Sequence, residues 1–182
     1  MKISQTKFEE AKIFTPEVYY DDRGFFMESF NDEIHDELGE VYWPQDNHSK
    51  SHKGVLRGLH YQWAEPMGKL VRVVNGSGID CIVDIRLNSD TFGQHEIFLL
   101  SENNQKILWV PPGFAHGFLS LEDNTHLCYR TNAKHNPDAE GAISPFDMQL
   151  DIDWGLDREQ IMVSEKDKNA QSFDEYVNEP KF

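Results

Sequence analysis

The chain has 182 residues, and its 32 acidic side chains against 17 lysines and arginines give a formal net charge of −15. That balance argues against nucleic acid or an anionic membrane surface as a partner, and it obliges any anionic ligand to find a locally cationic pocket. The length suits a single domain spanning residues 1–182 with a sizeable core, and no apolar run is long enough to cross a membrane.

The first dozen residues are polar and lack a signal-peptide core. Lys12 to Tyr20 reads as extended segments punctuated by Pro16, and Asp21-Asp22-Arg23-Gly24 is a turn signal leading into a strand over Phe25–Phe30. Phe30, Ile34 and Leu38 recur every four residues, which predicts a short helix capped by Asn31 and ended by Gly39. Gln45 to Ser51 is polar throughout and reads as a solvated loop.

Next comes Gly54-Val55-Leu56-Arg57-Gly58-Leu59-His60-Tyr61-Gln62. Strand alternation sets Val55, Arg57, Leu59 and Tyr61 on one face and Leu56, Gly58, His60 and Gln62 on the other. A histidine beside glycine looks into open space, and its ordinary pKa of about 6.5 suits general-base work.

From Lys69 onward the pattern is strands and turns. Leu70–Val74, Ile79–Ile85, Glu96–Leu100, Lys106–Val110, Phe118–Leu121 and Leu127–Arg130 are apolar or alternating runs separated by polar turns. Their number and shortness predict an all-β sandwich or jelly roll. Asp80, Asp84 and Arg86 share a strand face, as a buried polar cluster or a solvated one. Ser164-Glu165-Lys166-Asp167 has the form of a capping box, and predicts a C-terminal helix through Ala170, Phe173, Tyr176 and Val177. Cys81 and Cys128 lie far apart inside apolar runs, as two free buried thiols in a reducing cytoplasm would.

Pro111-Pro112-Gly113-Phe114-Ala115-His116-Gly117 has the P-x-G-x-x-H spacing of cupin barrels, whose histidine often binds metal with a His-x-His pair. This chain has no His-x-His. Convergence of His48, His52, His60 and His116 on a metal stays open as an alternative; His116 is read first as an inward hydrogen-bond donor.

Together these stretches resemble the dTDP-4-dehydrorhamnose 3,5-epimerase family over nearly the whole chain. The carrying motifs are Asp22-Arg23-Gly24-Phe25-Phe26, Gln45-Asp46-Asn47-His48-Ser49, Val55-Leu56-Arg57-Gly58-Leu59-His60, Gly68-Lys69-Leu70-Val71-Arg72, the Pro-Gly-Phe-Ala-His-Gly-Phe run at 112–118, and Ser164-Glu165-Lys166-Asp167. The resemblance implies a cupin-type jelly-roll barrel with a few short helices, no metal and no cofactor, and a homodimer that exchanges N-terminal strands. It implies a cytoplasmic enzyme that inverts C3 and C5 of dTDP-4-keto-6-deoxy-D-glucose.

In that family's terms His60 is the base, paired with Asp167, and Tyr129 is the acid on the far face of the sugar. Arg57 and Lys69 stand near the C4 oxygen. Arg23, Glu28, Gln45, Asp46, Asn47, His116, Glu140 and Lys166 fall at substrate and nucleotide contacts. Where relatives commonly carry consecutive tyrosines this chain reads Lys134-His135-Asn136-Pro137, which sets His135 at the base-stacking position. The alternatives are an epimerase of C3 alone on a related sugar nucleotide, a metal-dependent cupin isomerase or oxygenase, and a sugar-nucleotide-binding protein without catalysis.

Overall fold

A computed structural model describes residues 1–182. Thirteen strands run in chain order: β1 Lys2–Gln5, β2 Lys12–Thr15, β3 Val18–Asp21, β4 Gly24–Met27, β5 Gln45–Ser51, β6 Leu56–Gln62, β7 Lys69–Asn75, β8 Ser77–Asp84, β9 His95–Ser101, β10 Ile107–Val110, β11 Phe114–Ser120, β12 Thr125–Thr131 and β13 Glu140–Ala142. Helix α1 spans Asp32–Leu38, α2 Glu165–Lys168 and α3 Phe173–Asn178. One sheet has the order β1-β2-β10-β7-β12-β5, a second has β13-β6-β11-β8-β9, and β3-β4 is a separate hairpin.

The two large sheets pack face to face as a jelly-roll sandwich, and period-2 alternation builds the layers. Val71, Val73, Leu108 and Leu127 from the first sheet meet Ile82, Phe114 and Phe118 from the second in the central core. The outer face of the six-stranded sheet carries Phe14, Leu70, Ile107 and Trp109 under Ile34 of α1. The outer face of the five-stranded sheet, with Leu59, Tyr61, Cys81, Val83 and Ala115, is covered by Leu150, Trp154, Ile161, Phe173 and Tyr176 of the C-terminal segment.

Several expectations need correction. Gln45–Ser51 is not a loop: it pairs antiparallel with β12 along its whole length, from Gln45↔Thr131 to Ser51↔Thr125. It is polar on both faces because it is an edge strand, so hydrophobic periodicity could not reveal it. The polar N-terminus likewise forms an edge strand, β1. The strand at Phe25 ends at Met27. Asn31 occupies the N-cap position of α1, but its side chain donates to Glu28 Oε2 rather than capping.

The C-terminal helix is two helices. Ser164 Oγ accepts from Asp167 N at 3.1 Å and starts α2, which stops after one turn; α3 begins afresh with a full capping box between Ser172 and Glu175. Asp80 and Asp84 are both fully buried but serve separate partners, Asp80 with His116 and Asp84 with Arg86, Ser89 and Thr91. Both cysteines are free, Cys81 buried and Cys128 half-buried.

The face assignment within β6 also changes. Pairing with β11 runs His116↔His60 and then Phe118↔Arg57, so three steps on β6 match two on β11. This bulge reverses the alternation. Leu56 joins Leu59 and Tyr61 in the outer core, while Arg57 shares the inner face with His60. Gly58 sits at the reversal with φ +126, and a Cβ there would meet Gly117 Cα and His116 O, each at 2.6 Å. Glycine is therefore required at this point.

Candidate active site

The inner faces of the two sheets enclose a cavity of about 400 Å³. Strand β6 brings Arg57 and His60 to it, β7 Lys69, β11 His116 and Phe118, β12 Leu127 and Tyr129, and α2 Lys166 and Asp167. His60 and Tyr129 come from opposite sheets and so face one another across the space. Val55, Met162 and Val163 form an apolar side.

His60 Nε2 donates to Asp167 Oδ1 at 2.6 Å, which leaves Nδ1 as the nitrogen free to take a proton. Asp167 is 4 % exposed, and burial alone would raise its pKa. The hydrogen bonds from His60 and Ser164 outweigh burial and hold it below the usual carboxylate value, so the side chain is an anion. The short helix α2 explains the placement: Ser164 caps the backbone, and the Asp167 carboxylate is released toward His60.

His116 is buried and its Nε2 donates to Asp80 Oδ2 at 2.8 Å, the inward donor expected of it. Burial lowers its pKa despite the nearby carboxylate. Burial also pulls Lys69 down to about 8, with Asp80 and Glu140 opposing the shift. Burial raises Tyr129, which therefore keeps its proton. Arg57 is fixed by its Nε donating to Ser51 Oγ at 3.2 Å and by an Nη2 contact with the Lys50 carbonyl.

At the rim, Lys166 pairs with Glu140, and His135 Nε2 lies 3.6 Å from the same carboxylate. The Gln45 side chain accepts from the His135 backbone N–H and donates to Asn47 Oδ1 at 2.9 Å. These residues make a continuous polar edge leading out of the cavity. Three expected contacts lie elsewhere in this chain. Asp46 pairs with Arg130 on the opposite face of β5, beside a second cavity of about 260 Å³ that Arg72 and Cys128 also line. Arg23 is on the β3–β4 hairpin, 90 % exposed and paired with Asp21, and Glu28 follows that hairpin.

Each histidine once considered for a metal has its own partner: His48 with His126, His52 with Asp123, His60 with Asp167 and His116 with Asp80. No group of three His, Cys, Asp or Glu side chains is placed to hold a metal ion. The sequence did not reveal Ser49, Ser51 or the Asp80–His116 pair. The signal for the first two was present as a period of two in Gln45, Asn47, Ser49 and Ser51, hidden because the intervening residues are polar as well.

The profile of the dTDP-4-dehydrorhamnose 3,5-epimerase family matches residues 5–175. The dTDP-4-dehydrorhamnose 3,5-epimerase of Shigella flexneri is 46% identical over 177 residues, covering 95% of this chain and 96% of its own. The dTDP-6-deoxy-D-glucose-3,5-epimerase of Legionella pneumophila Philadelphia 1, solved in complex with dTDP-4-keto-L-rhamnose, superposes with a TM-score of 0.91 at 43% identity, covering 98% of this chain and 94% of that one. A 3'-monoepimerase from Streptomyces bikiniensis, solved with dTDP-quinovose, superposes with a TM-score of 0.89 at 31% identity over 95% of this chain and 88% of its own.

Proposed function

The chain belongs to the dTDP-4-dehydrorhamnose 3,5-epimerase family, and from that premise we propose that it inverts C3 and C5 of dTDP-4-keto-6-deoxy-D-glucose to give dTDP-4-keto-L-rhamnose. The observation that carries the reading is a histidine–carboxylate pair facing a protonated tyrosine across one cavity whose other charged groups include Arg57, Lys69 and Lys166.

In this mechanism His60 Nδ1 removes the proton beside the C4 ketone, and electron density moves onto the C4 oxygen as an enolate. A carbon acid of this kind is too weak for neutral imidazole unless the oxyanion is stabilised as it forms. Arg57 and Lys69 supply that charge, and losing one such donor typically costs about 3 kcal/mol. Asp167 stabilises the imidazolium that results. Tyr129 returns a proton to the same carbon from the other side, which inverts it; water then takes the proton from His60 and restores one to Tyr129, and repetition at the second carbon completes the reaction.

The diphosphate meets cationic groups at the rim, and Gln45, Asn47, Glu140, Lys166 and His135 contact the nucleotide. The protein works as a homodimer in which Arg23 and Glu28 of one chain complete the cavity of the other. In support, their hairpin contributes no residue to the lining of its own cavity and exposes Tyr20 by 72 % and Phe26 by 64 %, an unusual display of aromatic surface. A cytoplasmic location agrees with two free thiols, and no helix is long and apolar enough to cross a membrane.

A second reading, inversion at C3 alone, draws on the similarity to the Streptomyces monoepimerase. Proton NMR of the substrate incubated with the protein in deuterium oxide separates the two. Deuterium at C3 and C5, with the product trapped by reduction as dTDP-rhamnose, is the expected result; label at C3 alone selects the second reading. His60→Ala should abolish exchange at both carbons, and full turnover by that variant would refute the choice of base.

A further inference from the structure

One polar group in the cavity has no role in the mechanism above. Along β5, Gln45 and Asn47 are bonded to each other, and Ser51 Oγ accepts from Arg57. Ser49 differs from these neighbours. It lines the cavity with Arg57, Leu127 and Tyr129, and its hydroxyl is buried with no hydrogen-bond partner in the chain. Folding has stripped this hydroxyl of water without giving it a replacement, which native structures seldom tolerate unless the group has another use. Alanine would fill the same strand position without that penalty.

The strand register locates the hydroxyl. Ser49 lies opposite Leu127, two residues along from the Asn47–Tyr129 pair. On the other side of β12, Leu127 faces Val73, Tyr129 faces Val71 and Thr131 faces Lys69. Lys69 and Ser49 thus stand toward opposite ends of the cavity wall, with Tyr129 between them. Arg57, held on Ser51, belongs to the Ser49 end. A sugar ring held between His60 and Tyr129 lies along this wall, so an oxygen on its Arg57 side comes within reach of Ser49.

We propose that Ser49 Oγ hydrogen-bonds an oxygen of the bound sugar at the Arg57 end of the cavity and so fixes the ring between base and acid. The inference rests on the sugar-nucleotide reading of the site. A serine hydroxyl has one donor, two acceptor lone pairs and a single rotatable bond to aim them, so it can serve a keto oxygen or a ring hydroxyl.

The test is Ser49→Ala, assayed for turnover of dTDP-4-keto-6-deoxyglucose and, separately, for thermal unfolding of the free protein. We expect kcat/KM to fall about tenfold, the worth of one hydrogen bond. The Tm of the free protein should stay unchanged or rise, because the deleted hydroxyl had no partner to lose. A higher KM would mark a contact made equally before and during reaction; a lower kcat would mark one to the oxygen that gains charge. Either supports the proposal. It is overturned if kcat/KM stays within about twofold of wild type, or if the loss comes with a lowered Tm, as a packing role would give. A wild-type protein that leaves the sugar unchanged would instead refute the epimerase reading, and this inference with it.

Discussion

Among the ionisable groups of the cavity, Lys69 makes a prediction that Tyr129 does not share. Burial lowers the lysine to about 8 and raises the tyrosine, so alkaline pH reaches the lysine first. As pH rises through about 8, Lys69 loses the charge proposed to stabilise the enolate, while Tyr129 remains an acid. The pH profile of kcat/KM should therefore turn down near 8. Lys69→Gln should lower kcat by roughly 10²-fold and remove that limb. A limb that persists unchanged in the variant would shift the assignment to another group. The individual residues of the site were legible through motifs: His60, Lys69, His116, Tyr129 and Asp167 do line or support one cavity. The pairing of His116 with Asp80 was not legible, since a carboxylate inside an apolar strand does not announce which partner crosses from the next one.

Among the elements, β6 decides which side chains meet. Alternation alone put Arg57 and His60 on opposite faces, and only the three-against-two step with β11 brings them together. Gly58→Ala tests that step directly, because its Cβ would fall 2.6 Å from two backbone atoms of β11 at a φ of +126. We expect a loss of roughly 2–4 kcal/mol in urea unfolding, with turnover lost along with it. Near-native stability with near-native activity would show that the glycine is dispensable. The strands between Lys69 and Thr131 were legible because one face of each is apolar, except for the first half of β11, which reads as a tight turn, and the short β13 beyond them was not legible. Nor were strand β5 and the break between α2 and α3. An edge strand that is polar on both sides shows no hydrophobic periodicity, and Ser164 and Ser172 each begin a helix where a single cap was expected.

For the whole molecule, the main question is how a chain of net charge −15 assembles a site for an anionic nucleotide sugar. Part of the answer is local, in Arg57, Lys69 and Lys166. The proposed remainder is Arg23, supplied by a second copy. If so, two inactive variants should rescue each other. Mixed and re-equilibrated, Arg23→Ala and His60→Ala chains form heterodimers that each hold one site with both residues intact, so up to about a quarter of wild-type activity should return. Activity that stays at the sum of the separate variants would show that Arg23 is not supplied by a second copy.

The step in β6 also has an arithmetical consequence. It works by parity: an odd count between Arg57 and His60 meets an even count between Phe118 and His116. One extra residue between His116 and Phe118 would restore three steps against three, and ordinary alternation would then turn either the arginine or the histidine away from the cavity. Loops around the barrel can lengthen or shorten freely, whereas the single residue between His116 and Phe118 is fixed in number.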